Sequence, residues 1–179
     1  MTSDPVALAD ASALAQDDFQ LFDLPRRQAL ARAELDERWR ALQAQVHPDR
    51  FASAGGAAQQ LALQWALRVN EAYQRLKDPI ARAAYLCRLH GIDAATDRTL
   101  LPRSFLMQQM DWREALEDAR GAAALEKLAE EVADRRAALL GELADHIDAR
   151  QDWKAAAGCV QALMFIARFS TDLNARLDA

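Results

Sequence analysis

Residues 35–53 read "LDERWRALQAQVHPDRFAS". Leu35, Trp39, Leu42 and Val46 stand at i, i+4, i+7 and i+11, a single stripe at about 100° per residue, while Arg40 and Ala44 point the other way. The spacing predicts an amphipathic helix that stops where His47, Pro48 and Asp49 follow, because proline fixes its own φ and disfavours the helical region in the residue before it. In "FASAGGAAQQ" (51–60) the pattern breaks at Gly55 and Gly56. A second stripe then runs through Ala58, Leu61, Ala62, Trp65, Val69, Ala72 and Leu76. Two helices of opposed direction joined by a polar loop follow from this.

Upstream, "DDFQLFDLP" (17–25) supplies Phe19, Phe22 and Leu24 as a short apolar entry that Pro25 ends, which fits a small first helix. Residues 1–16 read as a loose Ala/Asp-rich tail. Downstream, Asp78-Pro79 stops the second long helix, and Pro79 opens a short one that carries "ARAAYLCRLHG" and ends at Gly91. "IDAATDRTLLPR" has no clear period, which places a linker near residues 92–103. Three further helical patterns cover roughly 104–119, 122–149 and 152–177, separated by Gly121 and by a corner at Arg150 to Asp152. Short connections favour antiparallel neighbours, hence a C-terminal three-helix bundle over 104–179.

The composition agrees with an all-α protein. The chain has 179 residues, 51% of them hydrophobic, with 6 Gly and 5 Pro, and good helix formers dominate. A formal net charge of -5 argues against a general nucleic-acid binder, which gathers basic residues on one face. Cys87 and Cys159 are the 2 cysteines, too few for a disulfide framework or for the four thiolates that usually hold an iron-sulfur cluster. The start carries neither a basic segment followed by an apolar run nor an Arg-rich transit pattern, and no later run reaches membrane-spanning length. A cytoplasmic protein without a membrane partner is expected.

His47, Pro48 and Asp49 admit three readings: a catalytic pair, a metal site, or a turn offered to a partner. Proline stiffens the turn, so imidazole and carboxylate are presented with little ordering left to do on binding. A general base needs a nucleophile or substrate group in reach and a wall against water, and no GxSxG-like companion exists in the chain. Taken alone, the tripeptide is equally compatible with an ordinary interhelical turn.

The tripeptide stands with "VNEAYQRLKDPIARAAYL" (69–86) downstream and "DDFQLFDLP" upstream. This combination resembles the J-domain of DnaJ-type co-chaperones over residues 17–91. The resemblance implies that His47, Pro48 and Asp49 engage a DnaK-type chaperone and stimulate its ATP hydrolysis, with basic residues near the turn aiding docking. Arg38, Arg40 and Arg50 are the candidates, although Glu34, Asp36 and Glu37 share their helix. Many J-domains place Tyr before the motif, whereas this chain has Val46.

In "SFLMQQMDWREALEDA" (104–119), Phe105, Trp112, Ala115, Leu116 and Ala119 cluster on one side of a helical wheel, enough to bind the helix to its bundle. Leu106, Met107 and Met110 cluster opposite, rimmed by Asp111, Glu114, Glu117 and Asp118. Such a patch is either a docking face or a face covered by a third element. In the last helix Ala156, Val160, Leu163 and Ala167 form one stripe with Phe165 and Phe169 roughly across from it, so one aromatic either joins the patch or the whole helix is buried.

A J-domain followed by "LHGID", "FLMQQMDWREALED" and a closing "LMFIARF" resembles the HscB family, the J-type co-chaperones of iron-sulfur cluster assembly. The resemblance implies that the C-terminal bundle binds the scaffold protein IscU and hands it to the chaperone HscA. Its contacts would be Leu106, Met107, Met110, Asp111, Glu114, Asp118 and Phe165; Met110 stands where Leu is expected, and Asp111 and Asp118 where Glu is. Alanine at Leu106, Met107 and Phe165 is then expected to weaken scaffold binding with the fold intact. Cys87 and His90 stand at i, i+3, but are read as a packed thiol beside Leu86 and Leu89 and as a group favoured by the helix C-terminus. His146 and Cys159 have no companion at ligand spacing, and the CxxC region of some eukaryotic members is absent, so no metal or cofactor is expected. The chain reads as a two-domain adaptor, not an enzyme.

Overall fold

The computed structural model describes residues 16–51, 55–96 and 100–178, with the side chains of Pro48 and Arg50 outside that description. Contacts divide the chain into two units, one up to Arg82 and one from Ala83 onward. Helices are the regular elements of the described residues, joined by turns and irregular connections, and no strand occurs among them.

The first unit begins with α1 (Asp18–Leu21). Asp17 caps it: its carboxylate accepts from the backbone N–H of Phe19 at 2.9 Å and Gln20 at 3.0 Å, and Gln20 Oε1 accepts from the Asp17 N–H at 3.2 Å. This reciprocal pair satisfies donors that a free helix end leaves open. Phe19, Phe22 and Leu24 are buried as their spacing predicts. Asp18 is fully buried and ion-paired to Arg68 at 2.8 Å and to Arg75, which ties α1 to the long helix α3.

Helices α2 (Arg32–Val46) and α3 (Gly56–Lys77) form the predicted hairpin. Their partners run in opposite order along the two helices, Arg32 and Asp36 meeting Tyr73 while Trp39 meets Asn70. Leu35 and Val46 from α2 and Trp65, Val69, Ala72 and Leu76 from α3 are buried. Trp39, which the stripe places in the core, is only half-buried. Its indole stacks on Tyr73 with centroids 4.5 Å apart and its Nε1–H donates to Asn70 Oδ1 at 3.1 Å, so the polar edge holds the ring at the rim. Tyr73, outside the predicted stripe, is buried: its hydroxyl donates to Asp36 at 2.9 Å and accepts from Arg32 at 2.9 Å.

The division between units falls inside α4 (Pro79–Leu89). Gly91 closes this helix at φ +78°, a left-handed conformation that costs a residue without Cβ little, and Ile92 N–H returns to Cys87 O at 3.0 Å. In the second unit Cys87 is buried with Sγ 3.8 Å from Trp153 O, and His90 stacks on the Trp153 ring at 3.6 Å. The imidazole Nδ1 of His90 lies 2.9 Å from Leu86 O.

Helices α5 (Arg103–Asp118), α6 (Ala122–Ala144) and α7 (Trp153–Leu177) make up the C-terminal bundle. The α6 pattern, predicted to run to 149, changes at Asp145 to one wide turn of π-helix ending at Arg150. Gln151 and Asp152 N–H groups both converge on His146 O, and Gln151 takes φ +54°. Asp152 then caps α7 by accepting from Ala155 N–H at 3.0 Å.

The first half of α7, residues 156–163, is buried nearly all round, while from Met164 onward an exposed face opens, and Ala167 is the member of the sequence stripe that falls on it. Ala156, Val160 and Leu163 are buried, but so are Phe165 and Phe169, while Ala167 is exposed. The reason is an aromatic cluster that crosses from α5: Phe105 meets Trp112 and Phe165 edge-on at 6.2 and 6.0 Å, and Phe169 stacks on Trp112 and Phe165 at 5.8 Å each. Ala115, expected on the packed side of α5, is exposed. The predicted linker is docked where described: Gln161 Nε2 donates to Ala94 O at 2.8 Å, and Leu100 O sits where a Cβ on Gly158 would lie 2.6 Å away.

Gly158→Ala must therefore push the Leu100 backbone off α7, and we expect a loss of roughly 1–3 kcal/mol in urea unfolding. Burial pushes both thiols up to about 11 from an ordinary 9.0, with Cys159 reinforced by the charge of Glu142. The folded state thus holds these protons more tightly than the unfolded chain. Their contribution to stability is fully present below about pH 9 and is lost as pH rises towards 11. Urea midpoints between pH 8 and 10.5 should fall, and Cys87→Ala with Cys159→Ala should flatten that fall.

Candidate functional site

His47 stands where α2 stops. Its φ and ψ of -61° and 128° leave the helix, and Pro48–Phe51 follow as one turn of 3-10 helix. The preceding Val46 is 1% exposed, so the turn is pinned from within by a purely apolar residue. The Asp49 N–H donates to His47 Nδ1 at 3.3 Å, and an Asp49 carboxylate oxygen lies 3.6 Å from the same nitrogen. The imidazole and the carboxylate thus stand side by side at the start of the turn.

The two side chains are 54% and 90% exposed. Among the described residues no side chain shelters the pair from water. An imidazole and a carboxylate held in fixed relation on the surface suit recognition. Of the flanking cations, Arg38 already binds Asp23 at 3.0 Å and approaches Glu34 at 4.0 Å. Arg40 is exposed and has no ion pair among the described residues. Its charge acts on Asp36: desolvation raises that carboxyl, but hydrogen bonds from Arg32 and Tyr73, with the charges of Arg32 and Arg40, outweigh it and hold the pKa below 3.8. The Arg50 side chain, also predicted to dock a partner, lies outside the described residues.

The second candidate surface is on α5. Phe105 and Trp112 face inward, and Trp112 Nε1–H donates to Glu131 of α6 at 2.8 Å, which fixes the rotation of the helix. The opposite side then points outward: Leu106 is 45% exposed, Met107 62% and Met110 70%. Asp111, Glu114, Glu117 and Asp118 around them are exposed as well. Of the two sequence readings of this face, the structure has the uncovered one among the described residues. Neighbouring apolar side chains left in water make this face a candidate docking surface.

Phe165 differs from the other residues grouped with it. It is 8% exposed and wedged in the aromatic cluster, so it supports the lip of the surface beside Leu106 more than it presents a free ring. Sequence reasoning passed over Met164 of α7, 37% exposed, and Leu63 and Leu67 of α3, 53% and 56% exposed. The α3 pair was legible in principle, since i and i+4 apolar residues off the core stripe mark a second face.

The model of the family described as "HSCB C-terminal oligomerisation domain" matches residues 101–174. The Co-chaperone protein HscB homolog of Burkholderia mallei is 49% identical over 164 residues, covering 89% of this chain and 93% of that protein. Among solved structures, the chaperone HscB from Vibrio cholerae superposes with a TM-score of 0.77 at 36% identity, covering 91% of this chain and 98% of that one. Human co-chaperone protein HscB gives 0.80 at 26% identity, covering 90% and 82%. With an N-terminal J-domain, a C-terminal helical bundle and this identity along nearly the full length of its relatives, the chain belongs to the HscB family of co-chaperones.

Proposed function

We propose that the protein serves iron-sulfur cluster assembly as an adaptor: the His47-Pro48-Asp49 turn stimulates the ATPase of an HscA-type, DnaK-like chaperone, and the α5 surface holds an IscU-type scaffold. The observation that carries the second half is the run of Leu106, Met107 and Met110, each exposed and bordered by carboxylates. Apolar anchors inside an acidic rim fit a partner that offers an apolar patch flanked by basic residues. The first half is supported by the exposure of His47 and Asp49 at the end of α2. Joining the two surfaces in one chain makes the meeting of scaffold and chaperone an intramolecular event, so the adaptor acts through effective concentration.

Single-turnover ATP hydrolysis by the HscA-type chaperone tests the first half. Wild type should accelerate it, more so with scaffold present, and His47→Gln should abolish the acceleration while binding scaffold normally. Acceleration that survives in the variant would sink the role given to the turn.

For the scaffold surface, the burial of Phe165 dictates the choice of variant. Removing its ring from the aromatic cluster should destabilise the bundle by about 3–5 kcal/mol, so it cannot report on binding alone. Leu106→Ala with Met107→Ala and Met110→Ala leaves the packed side of α5 untouched. We expect this variant to keep the thermal midpoint within a few degrees and to weaken scaffold binding by more than about 3 kcal/mol, over a hundredfold in Kd by calorimetry.

A further inference from the structure

Beside the α5 surface runs a trough between α5 and α7. Two adjoining cavities of about 470 and 480 Å³ form it, and both are lined by Arg113, Phe165 and Arg168. Leu106 and Met164 stand at one end, Phe169 and Arg176 at the other. Arg113 holds its guanidinium 5.7 Å from the centroid of the Phe165 ring, a cation-π contact that fixes its position over the floor. Neither Arg113 nor Arg168 makes an ion pair with a carboxylate among the described residues. The carboxylates in the lining, Glu117 and Asp172, belong to the far cavity, so among the described residues the end next to Leu106 is lined by two cations and no anion.

We infer that this end of the trough receives an acidic side chain of the scaffold, carried next to an apolar residue that rests on Phe165 and Met164. The inference rests on the scaffold reading above and extends it: the partner would meet the carboxylates of Asp111, Glu114 and Asp118 on one flank of the Leu106 and Met107 anchors and the guanidinium groups on the other, with Glu117 on the far cavity of the trough. Such a charge pair of opposite signs specifies one orientation of the partner on α5, because a partner turned end for end would face like charges at both flanks. Guanidinium groups, with fixed forks of donors, suit a carboxylate in particular.

The test uses the full chain and IscU-type scaffold, with affinity measured by calorimetry at low and at moderate salt. Arg113→Glu with Arg168→Glu should lower affinity by about tenfold or more at low salt and by less as salt is added. A variant with the same change in net charge elsewhere, Lys127→Glu with Arg136→Glu on the exposed side of α6, should stay within about threefold of wild type. Circular dichroism and thermal midpoints establish that both variants are folded. Replacing acidic scaffold residues one at a time by arginine should identify a substitution that restores binding to the reversed protein and weakens binding to wild type. Equal affinity for wild type and the Arg113/Arg168 variant, or an equal loss in the control, overturns the trough assignment alone. Absence of scaffold binding by wild type overturns the scaffold reading and this inference with it.

Discussion

The burial of the first half of α7 on almost every side is the constraint on which the second unit depends. From Ala156 to Leu163 the helix has one residue, Gln161, that is not fully covered, and that one is spent on Ala94 O. A helix buried this way consumes the apolar faces of its neighbours, and α5 meets the demand with Phe105 and Trp112. Trp112 is locked from two directions, by Phe169 stacked on its face and by Glu131 at its Nε1. Once that ring is fixed, the remaining apolar residues of α5 have nowhere to go but outward. The exposed face is thus a geometric result of how the core is closed.

The first unit obeys a different logic, with charge as well as packing at its joints. Asp18 is fully buried between Arg68 and Arg75, and breaking such a pair by removing one partner costs more than the pair contributes, because a charge is left without water. Tyr73 plays a similar part at the rim of the hairpin, where Arg32, Asp36 and Trp39 all converge on it. These contacts fix the register of α2 on α3. Register in turn fixes where Val46 is buried and therefore which residue, His47, is first to emerge.

Most of the fold was legible because the sequence is strongly periodic and its breaks are chemically plain. The helix limits at Pro79, Gly91, Gly121 and Asp152 follow from residues with a marked local preference. The errors came where side chains from separate helices decide the outcome. A wheel of α7 cannot show that Phe165 and Phe169 are claimed by Phe105 and Trp112, nor that Tyr73 draws its partners from α2. The exposed trio on α5 was visible as a second face, yet its freedom from cover depended on the path of everything else. Arg113 and Arg168 are unremarkable in sequence and acquire meaning only because two helices bring them to one trough.

The outward face of α5 also has an evolutionary side. Leu106, Met107 and Met110 add little to the core, so substitutions there are hardly opposed by selection for folding. Met110, where relatives of this kind were expected to carry Leu, is the most open of the three at 70%. Its side chain can thus change with little cost to the bundle, whereas Trp112, two residues on and on the opposite face, is held by the architecture. In the docking role proposed above, a surface insulated in this way would let lineages renegotiate partnership without risking the bundle that displays it.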